Sequence, residues 1–117
     1  MPNALSQPID PIMGSMYDQR MRIIAKRTLR EFWTHHPDTE NPLKEWYQEA
    51  ARADWENPHS IKSQYRNASI LKNGRVVFNI AGNKFRLVAA IAYRYQTLWI
   101  RFIGTHKQYD TIDAEQV

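Results

Sequence analysis

One stretch of the chain consists of apolar, strand-like segments separated by short turns, and this pattern predicts an antiparallel meander. It reads SILKNGRVVFNIAGNKFRLVAAIAYRYQTLWIRFIGTH. Asn73-Gly74 and Gly82-Asn83 are hairpin-turn pairs, because both residue types tolerate positive φ, and Tyr95-Gln96-Thr97 marks a third reversal. A short strand is expected near Ile70. Three long strands follow it, at Arg75 to Ala81, Lys84 to Tyr93 and Leu98 to Ile103.

The chain before the meander has helical spacing instead. The segment KRTLREFWTHH places Leu29, Phe32 and Trp33 on one helical face, and Pro37 ends it. A second predicted helix starts at Asn41-Pro42, with Asn41 as N-cap and the proline in its first turn. Its apolar residues recur at i, i+3, i+4, i+7 and i+8, which is typical of a helix that covers a core. They are Leu43, Trp46, Tyr47, Ala50 and Ala51.

Three shorter segments complete the organisation. MRII, residues 21–24, is a strand candidate, and residues 58–69 have no clear period and are expected to form a connecting loop. Residues 1–20 contain three prolines and no period, so we expect a flexible leader, left by cloning or by an upstream start, ahead of one domain at residues 21–117. A strand, two helices and a meander predict an α+β fold with the helices packed on one face of the sheet.

The composition excludes several kinds of site. The chain has no cysteine, which rules out disulfides, cysteine-ligated metal centres and thiol nucleophiles. Its four histidines show no metal-ligand spacing, so we assign neither a metal nor a cofactor. The apolar runs are far shorter than the roughly 20 residues of a membrane-spanning helix, and the N-terminus has no basic segment followed by an apolar one. We therefore expect a cytoplasmic protein with no membrane partner.

Charge is divided unevenly between the two halves of the chain. Residues 21–60 carry six basic and seven acidic residues, so the helical part is about neutral. Residues 61–109 carry no acidic residue. Their nine basic residues are Lys62, Arg66, Lys72, Arg75, Lys84, Arg86, Arg94, Arg101 and Lys107. A positive sheet suits a polyanion such as nucleic acid, although a solvated basic face explains the charge alone equally well.

Residues in the last two strands and just after them have the chemistry that RNA cleavage needs. Arg86 and Arg101 lie between apolar residues of neighbouring strands, so both would project away from the helices and grip one phosphate, unless each pairs with a carboxylate. His106, Lys107 and Tyr109 follow the last strand and supply an imidazole, a fixed cation and a phenol. Cleavage by the 2′-hydroxyl of RNA needs a proton acceptor, cations at the phosphate and an acid for the leaving oxygen.

A non-catalytic RNA-binding module is the alternative interpretation, and it explains the charge as well as the enzyme does. In that case Tyr93, Tyr95 and Trp99 would be stacking platforms for bases on a basic sheet. His106 and Tyr109 would then have no chemical role. A protein that still binds RNA but no longer cuts it after loss of His106 distinguishes the enzyme from the module.

The same stretch resembles a known family. The matching residues are Asn79, Gly82-Asn83, Arg86-x-x-Ala89, Ile100-Arg101 and Thr105-His106-x-x-Tyr109-Asp110. Together with the order of elements, they make residues 21–113 similar to the HigB branch of the RelE-like toxins, the mRNA endonucleases of bacterial toxin–antitoxin pairs. The resemblance implies a microbial-ribonuclease-like fold that cuts mRNA on the ribosome, without a metal, by attack of the ribose 2′-hydroxyl on the adjacent phosphate.

The resemblance also implies residue roles and partners. Arg86 matches the family's strand arginine that contacts the scissile phosphate, while His106 and Tyr109 fall where the family keeps catalytic or base-stacking groups. Lys84, Arg101 and Lys107 are expected to bind RNA because of their place on the basic face. The implied partner is a HigA-like helix-turn-helix antitoxin that holds the toxin inactive. Operator DNA would be bound only through that antitoxin.

Overall fold

A computed structural model describes residues 20–117, so the predicted leader at residues 1–20 lies, apart from Arg20, outside the described residues. The elements, in chain order, are β1 (Arg22–Ile24), α1 (Lys26–His35), α2 (Glu40–Arg52), α3 (Pro58–Gln64), β2 (Ser69–Ile70), β3 (Arg75–Ile80), β4 (Phe85–Ala92), β5 (Thr97–Thr105) and α4 (His106–Tyr109). Short 3₁₀ turns occupy Pro37–Thr39 and Tyr93–Tyr95. Within this range, no helix is long and apolar enough to cross a membrane.

All five strands form one sheet in the order β1-β5-β4-β3-β2. Strands β2 to β5 are the predicted antiparallel meander, and β1 adds in parallel to β5 at the edge. Asn73 and Gly74 both have positive φ, 60° and 70°, as a two-residue hairpin requires. The next turn lies at the predicted Gly82-Asn83. Ile80 pairs with Phe85, and the Lys84 N–H donates to the Ala81 carbonyl oxygen at 3.4 Å across these two residues; φ is 55° at Ala81 and 71° at Gly82. Gln96, with φ of 47°, makes the third predicted reversal.

Helices α1, α2 and α3 pack on one face of the sheet. Leu29 of α1 and Leu43 and Trp46 of α2 are buried against alternating residues of the three long strands. Those strand residues are Val76, Phe78, Ile80, Phe85, Leu87, Ala89, Ile91, Leu98 and Ile100. The α+β prediction with helices on one face is confirmed, and so is the apolar stripe of α2.

A third helix, α3, occupies a segment that was predicted to be a loop. Asn57 caps it, because the Asn57 side chain accepts a hydrogen bond from the backbone N–H of Ser60 at 3.1 Å. Pro58 occupies the first turn, where its missing N–H has no cost. The loop prediction was wrong because α3 buries only Ile61, and one apolar residue in seven gives no readable period.

The start of α2 also differs from the prediction. The helix begins at Glu40 and not after an N-cap at Asn41, because the 3₁₀ turn at Pro37–Thr39 runs directly into it. The side chain of Thr39 is buried and donates to the carbonyl oxygen of His36 at 2.7 Å, which stabilises this junction. Pro42 therefore lies inside the first turn, where a proline is still tolerated.

An aromatic cluster joins α2 and α3 to the sheet. The Phe78 ring centroid lies 5.3 Å from that of Trp46, 5.9 Å from that of Trp55 and 5.2 Å from that of Tyr65. The Tyr65 hydroxyl donates to the Glu49 carboxylate of α2. Burial, and then the hydrogen bond and negative charge of Glu49, raise the pKa of Tyr65 well above that of a free phenol.

We expect the Tyr65–Glu49 contact to make stability decrease at high pH. The unfolded chain releases the phenol proton near pH 10, whereas the folded chain retains it because its pKa is raised, so rising pH favours unfolding in that range. Denaturant titrations at about pH 9 and about pH 11 measure the loss in the free energy of unfolding. The loss should be smaller in Tyr65→Phe than in wild type. Tyr95→Phe, whose ring is 71% exposed, is the matched control and should behave as wild type does; equal losses in wild type and Tyr65→Phe would contradict the expectation.

Candidate active site

The sheet face opposite α1 and α2 carries a second, smaller apolar cluster. Val77 of β3, Val88 of β4 and Phe102 of β5 form its floor, and it is covered by α4 and the residues after it. The covering residues are Tyr109, Ile112, Ala114 and Val117. We call residues 110–117 the C-terminal strap.

The C-terminal strap runs towards the β2–β3 turn. Arg75 Nε and Nη2 donate to the carbonyl oxygen of Val117 at 3.0 and 2.6 Å. The backbone N–H of Lys72 donates to Glu115 Oε2 at 3.2 Å, and Asn73 Nδ2 donates to the Glu115 carbonyl oxygen at 3.2 Å. These bonds hold the strap at the end of the face that is farther from the β3–β4 turn.

Helix α4 starts immediately after β5 because a capping box fixes it. Thr105 Oγ1 accepts from the Gln108 N–H at 3.0 Å, and Gln108 Oε1 accepts from the Thr105 N–H at 2.8 Å. The backbone N–H of His106 donates to the carbonyl oxygen of Lys84 at 3.1 Å, which ties α4 to the β3–β4 turn. His106 and Lys107 therefore stand on a fixed turn next to Lys84.

Arg86 reaches the same corner from β4. It is paired with Asn79 on β3 and with Gly104 on β5. Its Nη1 donates to the carbonyl oxygens of Asn83 and Phe85 at 3.0 and 3.3 Å, so the guanidinium is held against the β3–β4 turn. Among residues 20–117 no carboxylate forms an ion pair with it. Arg86 therefore presents a half-buried positive charge that its own fold does not neutralise.

His106 and Tyr109 lie on α4 in different environments. The His106 side chain is 55% exposed, and its Nε2 lies 3.8 Å from Asp110 Oδ1, one helical turn away. The carboxylate is within ion-pair distance of the imidazole but beyond hydrogen-bond distance, and the exposed ring is accessible to a ligand. Tyr109 is half-buried, with its ring centroid 6.5 Å from that of Phe102, so its ring belongs to the second apolar cluster.

Arg101 lies apart from Arg86. A β-bulge makes Arg101 the extra residue of β5, because Ile100 pairs with Ala89 while Phe102 pairs with Val88. Arg101 is exposed and stands three positions before the partner of Arg86, about 10 Å along the strand. The register thus places the two arginines at different levels of the sheet, whereas Lys84, Arg86, His106 and Lys107 come together at one corner. We call these four residues the basic corner.

The aromatic residues of the binding-module alternative lie in different environments. Tyr93 packs against the main core, and burial raises its pKa. Trp99 is half-buried on β5, paired with Ala90 of β4. Tyr95 is the exposed member, with the Arg94 guanidinium 5.6 Å from its ring centroid. Within residues 20–117, no three His, Asp or Glu side chains are placed to hold a metal ion.

Gly104 allows the basic corner to pack. A Cβ at this position would lie 2.6 Å from Phe102 Cζ and 2.8 Å from Gln108 Oε1, the atom that completes the capping box. Sequence reasoning found the histidine and the tyrosine of this segment but missed the roles of Gly104, Thr105 and Gln108. The spacing T-x-x-Q was the readable signal for the cap.

We expect Gly104→Ala to lower the free energy of unfolding by about 1–3 kcal/mol, because the methyl group has to displace the Phe102 ring or break the capping box. Denaturant unfolding of the purified variant measures this. Gly82→Asn is the control for steric contact: a Cβ there meets nothing within 4 Å, so its cost is limited to the backbone strain at φ of 71°, which asparagine bears better than most residues. A Gly104→Ala protein as stable as wild type would show that α4 does not depend on this contact.

Comparison with known proteins gives consistent matches. The family model described as the HigB toxin, RelE-like toxic component of a toxin–antitoxin system, matches residues 39–112, a range that contains every predicted site residue. The mRNA interferase toxin HigB of Escherichia coli K12 is 28% identical over 96 residues, which cover 80% of this chain and 92% of that protein. An mRNA interferase HigB of Escherichia coli O6:H1 is 24% identical over 94 residues, or 79% of this chain and 91% of that protein.

Proposed function

The chain belongs to the HigB family of RelE-like toxic components of toxin–antitoxin systems, and on that premise we propose that it is an endoribonuclease that cuts mRNA and so inhibits translation. Relatives named mRNA interferases match this chain over most of their own length, which supports the activity. The observation that carries the proposal is the charge of Arg86, which is held in place by two backbone carbonyls and left without a carboxylate partner among the described residues.

The proposed reaction uses the 2′-hydroxyl of the RNA as the nucleophile. Its oxygen attacks the adjacent phosphorus, the bond to the 5′-oxygen breaks, and the products are a 2′,3′-cyclic phosphate and a 5′-hydroxyl. One protein group takes the 2′-hydroxyl proton, and a second donates a proton to the departing oxygen. Negative charge accumulates on the phosphate between these events, so a fixed cation there lowers the barrier.

The basic corner, with the neighbouring Tyr109 and the more distant Arg101, supplies these parts. Arg86 contacts the scissile phosphate and stabilises its charge, and His106 transfers a proton, since its exposed imidazole has a nitrogen that can accept a proton and one that can donate. The Tyr109 phenol either transfers the second proton or stacks on a base. Lys84, Lys107 and the more distant Arg101 bind the flanking RNA backbone. Residues 21–117 form the single toxin domain in this proposal.

The proposed partners follow from the same chemistry. Residues 61–109 carry nine basic and no acidic residues, which suits binding to ribosomal RNA as well as to mRNA. We therefore propose that the reaction takes place on the translating ribosome, and hence in the cytoplasm. A toxin of this family has an antitoxin partner. The proposed antitoxin is a HigA-like helix-turn-helix protein, and operator DNA is bound only through it.

The test is a cell-free translation reaction with end-labelled mRNA and the purified protein. Primer extension then maps new RNA ends. The proposal predicts discrete ends inside the translated frame that increase with protein concentration. RNA that is bound but uncut would instead support a non-catalytic binding module.

A further inference from the structure

A polar cleft lies beside the basic corner, between the α3–β2 loop and the β3–β4 turn. Its volume is ≈ 380 Å³, which is within the range of small-ligand sites. Its lining includes Gln64, Tyr65, Arg66, Asn67, Asn79 and Gly82. None of these residues was a sequence-predicted site residue, and the basic corner does not use them.

The cleft is next to Arg86 on the sheet. Asn79, which lines the cleft, is the direct cross-strand partner of Arg86, so their Cα atoms lie about 4.5–5.5 Å apart and their side chains share a face. Gly82, which also lines the cleft, precedes Asn83, whose carbonyl oxygen accepts from Arg86 Nη1 at 3.0 Å. A polymer whose phosphate contacts Arg86 would therefore extend into this cleft.

The side chains of the cleft suit a nucleotide. Arg66 is exposed, and its guanidinium has neither a hydrogen bond nor an ion pair within residues 20–117, so it remains available for a phosphate. Gln64 uses its Oε1 to accept from Trp55 Nε1 at 3.1 Å, which leaves its NH₂ group as a donor. Asn79 donates through Nδ2 to the Asn67 carbonyl oxygen at 3.4 Å, which leaves its Oδ1 as an acceptor. Such amides match the edges of unpaired bases.

The loop that forms one wall is held in place before any ligand binds. Lys62 Nζ donates to the carbonyl oxygens of Arg66 and Ala68 at 2.7 and 2.8 Å. The backbone N–H of Ala68 donates to the Tyr65 carbonyl oxygen at 3.1 Å, and the Tyr65 ring packs on Phe78. A ligand therefore does not have to order this wall, which lowers the entropic cost of binding.

We propose that this cleft is a nucleotide subsite for the nucleotide next to the scissile phosphate. Arg66 contacts the phosphate of that nucleotide, and the side chains of Asn67 and Asn79 contact the edge of its base. The inference rests on the proposed function, since it assumes that the scissile phosphate lies at Arg86. In this proposal the cleft residues determine which base is preferred, and the residues of the basic corner cleave the bond.

The experiment compares cut-site maps of wild type, Arg66→Ala, Asn67→Ala and Arg30→Ala in cell-free translation of one long mRNA. Arg30 is an exposed arginine of α1, in the helix layer, and serves as the matched control. Arg66→Ala should cut about tenfold more slowly at limiting mRNA, as loss of one charge-assisted contact predicts. Asn67→Ala should change the base preference next to the cut, and Arg30→Ala should match wild type in rate and cut sites.

The alternatives are distinguishable. If wild type and all three variants cut with the same rate and the same distribution, the subsite is wrong and the proposed function stands. If wild type makes no cut at all, the proposed function fails, and the subsite fails with it. Thermal unfolding verifies that each variant is folded, and Arg66→Gln replaces Arg66→Ala if the alanine variant does not fold.

Discussion

Arg86→Ala is expected to lower the rate of mRNA cleavage by about 10²–10³-fold while the protein stays folded. The loss is large because the scissile phosphate gains negative charge in the transition state, and Arg86 is the half-buried cation of the basic corner. The cost in stability should be small, because the guanidinium donates only to carbonyl oxygens of Asn83 and Phe85 beside an exposed turn. Water replaces those bonds in the variant.

The measurement is the initial rate of new RNA ends per unit of protein in cell-free translation. Arg30→Ala makes the same chemical change in the helix layer and should cut as wild type does. Arg86→Lys should fall between wild type and the alanine variant, because lysine retains the charge and loses the planar pair of donors. A folded Arg86→Ala protein with wild-type activity would show that the scissile phosphate does not bind at the basic corner.

His106→Ala is expected to reduce cleavage by about 10²–10⁴-fold, which is the usual contribution of general acid–base catalysis. RNA binding should be nearly unchanged, since Lys84, Arg86 and Lys107 remain. The fold should also survive, because His106 ties α4 to Lys84 through its backbone N–H, which alanine retains. The side chain itself is 55% exposed, and within residues 20–117 its ion-pair contact is with Asp110, at 3.8 Å.

Two assays on the same protein separate chemistry from binding in this variant. Cutting is followed with mRNA, and binding is followed by fluorescence anisotropy with a labelled 2′-O-methyl RNA, which has no free 2′-hydroxyl and is not cut. His59→Ala is the matched control, because His59 is exposed on α3 and its imidazole makes no hydrogen bond to any residue in 20–117. If His106→Ala and wild type cleave mRNA at the same rate, then groups other than His106 transfer the protons.

Local turn chemistry made most of the fold predictable. Asn73-Gly74 adopts the positive φ values that its residue types favour, and the flanking alternation gave the strands within one or two residues. The second turn lies at the predicted Gly82-Asn83, and what the sequence did not indicate is the positive φ of Ala81 before it, which alanine seldom adopts. Helix α3 was missed because it is short and buries only Ile61, so its stability comes from a cap and from packing, which periodicity does not report.

The site was predictable residue by residue but not as an arrangement. Residue type alone singled out Arg86 and His106. The contact between the His106 N–H and the Lys84 carbonyl oxygen, which brings the basic corner together, depends on strand register. The β-bulge that sets Arg101 apart has no sequence signal that we could read. The cleft joins residues 64–68 to residues 79–82, and such an approach of distant segments is a property of the folded chain.

The chemistry of the cut ends tests the central claim most directly, because attack by the 2′-hydroxyl leaves a 5′-hydroxyl on the downstream fragment. RNA from a cell-free reaction with wild-type protein is treated with polynucleotide kinase and labelled ATP, with and without prior phosphatase. We predict that the new fragments accept label without phosphatase, and that they are strongly reduced with Arg86→Ala. Fragments that accept label only after phosphatase carry a 5′-phosphate and would contradict the proposed reaction.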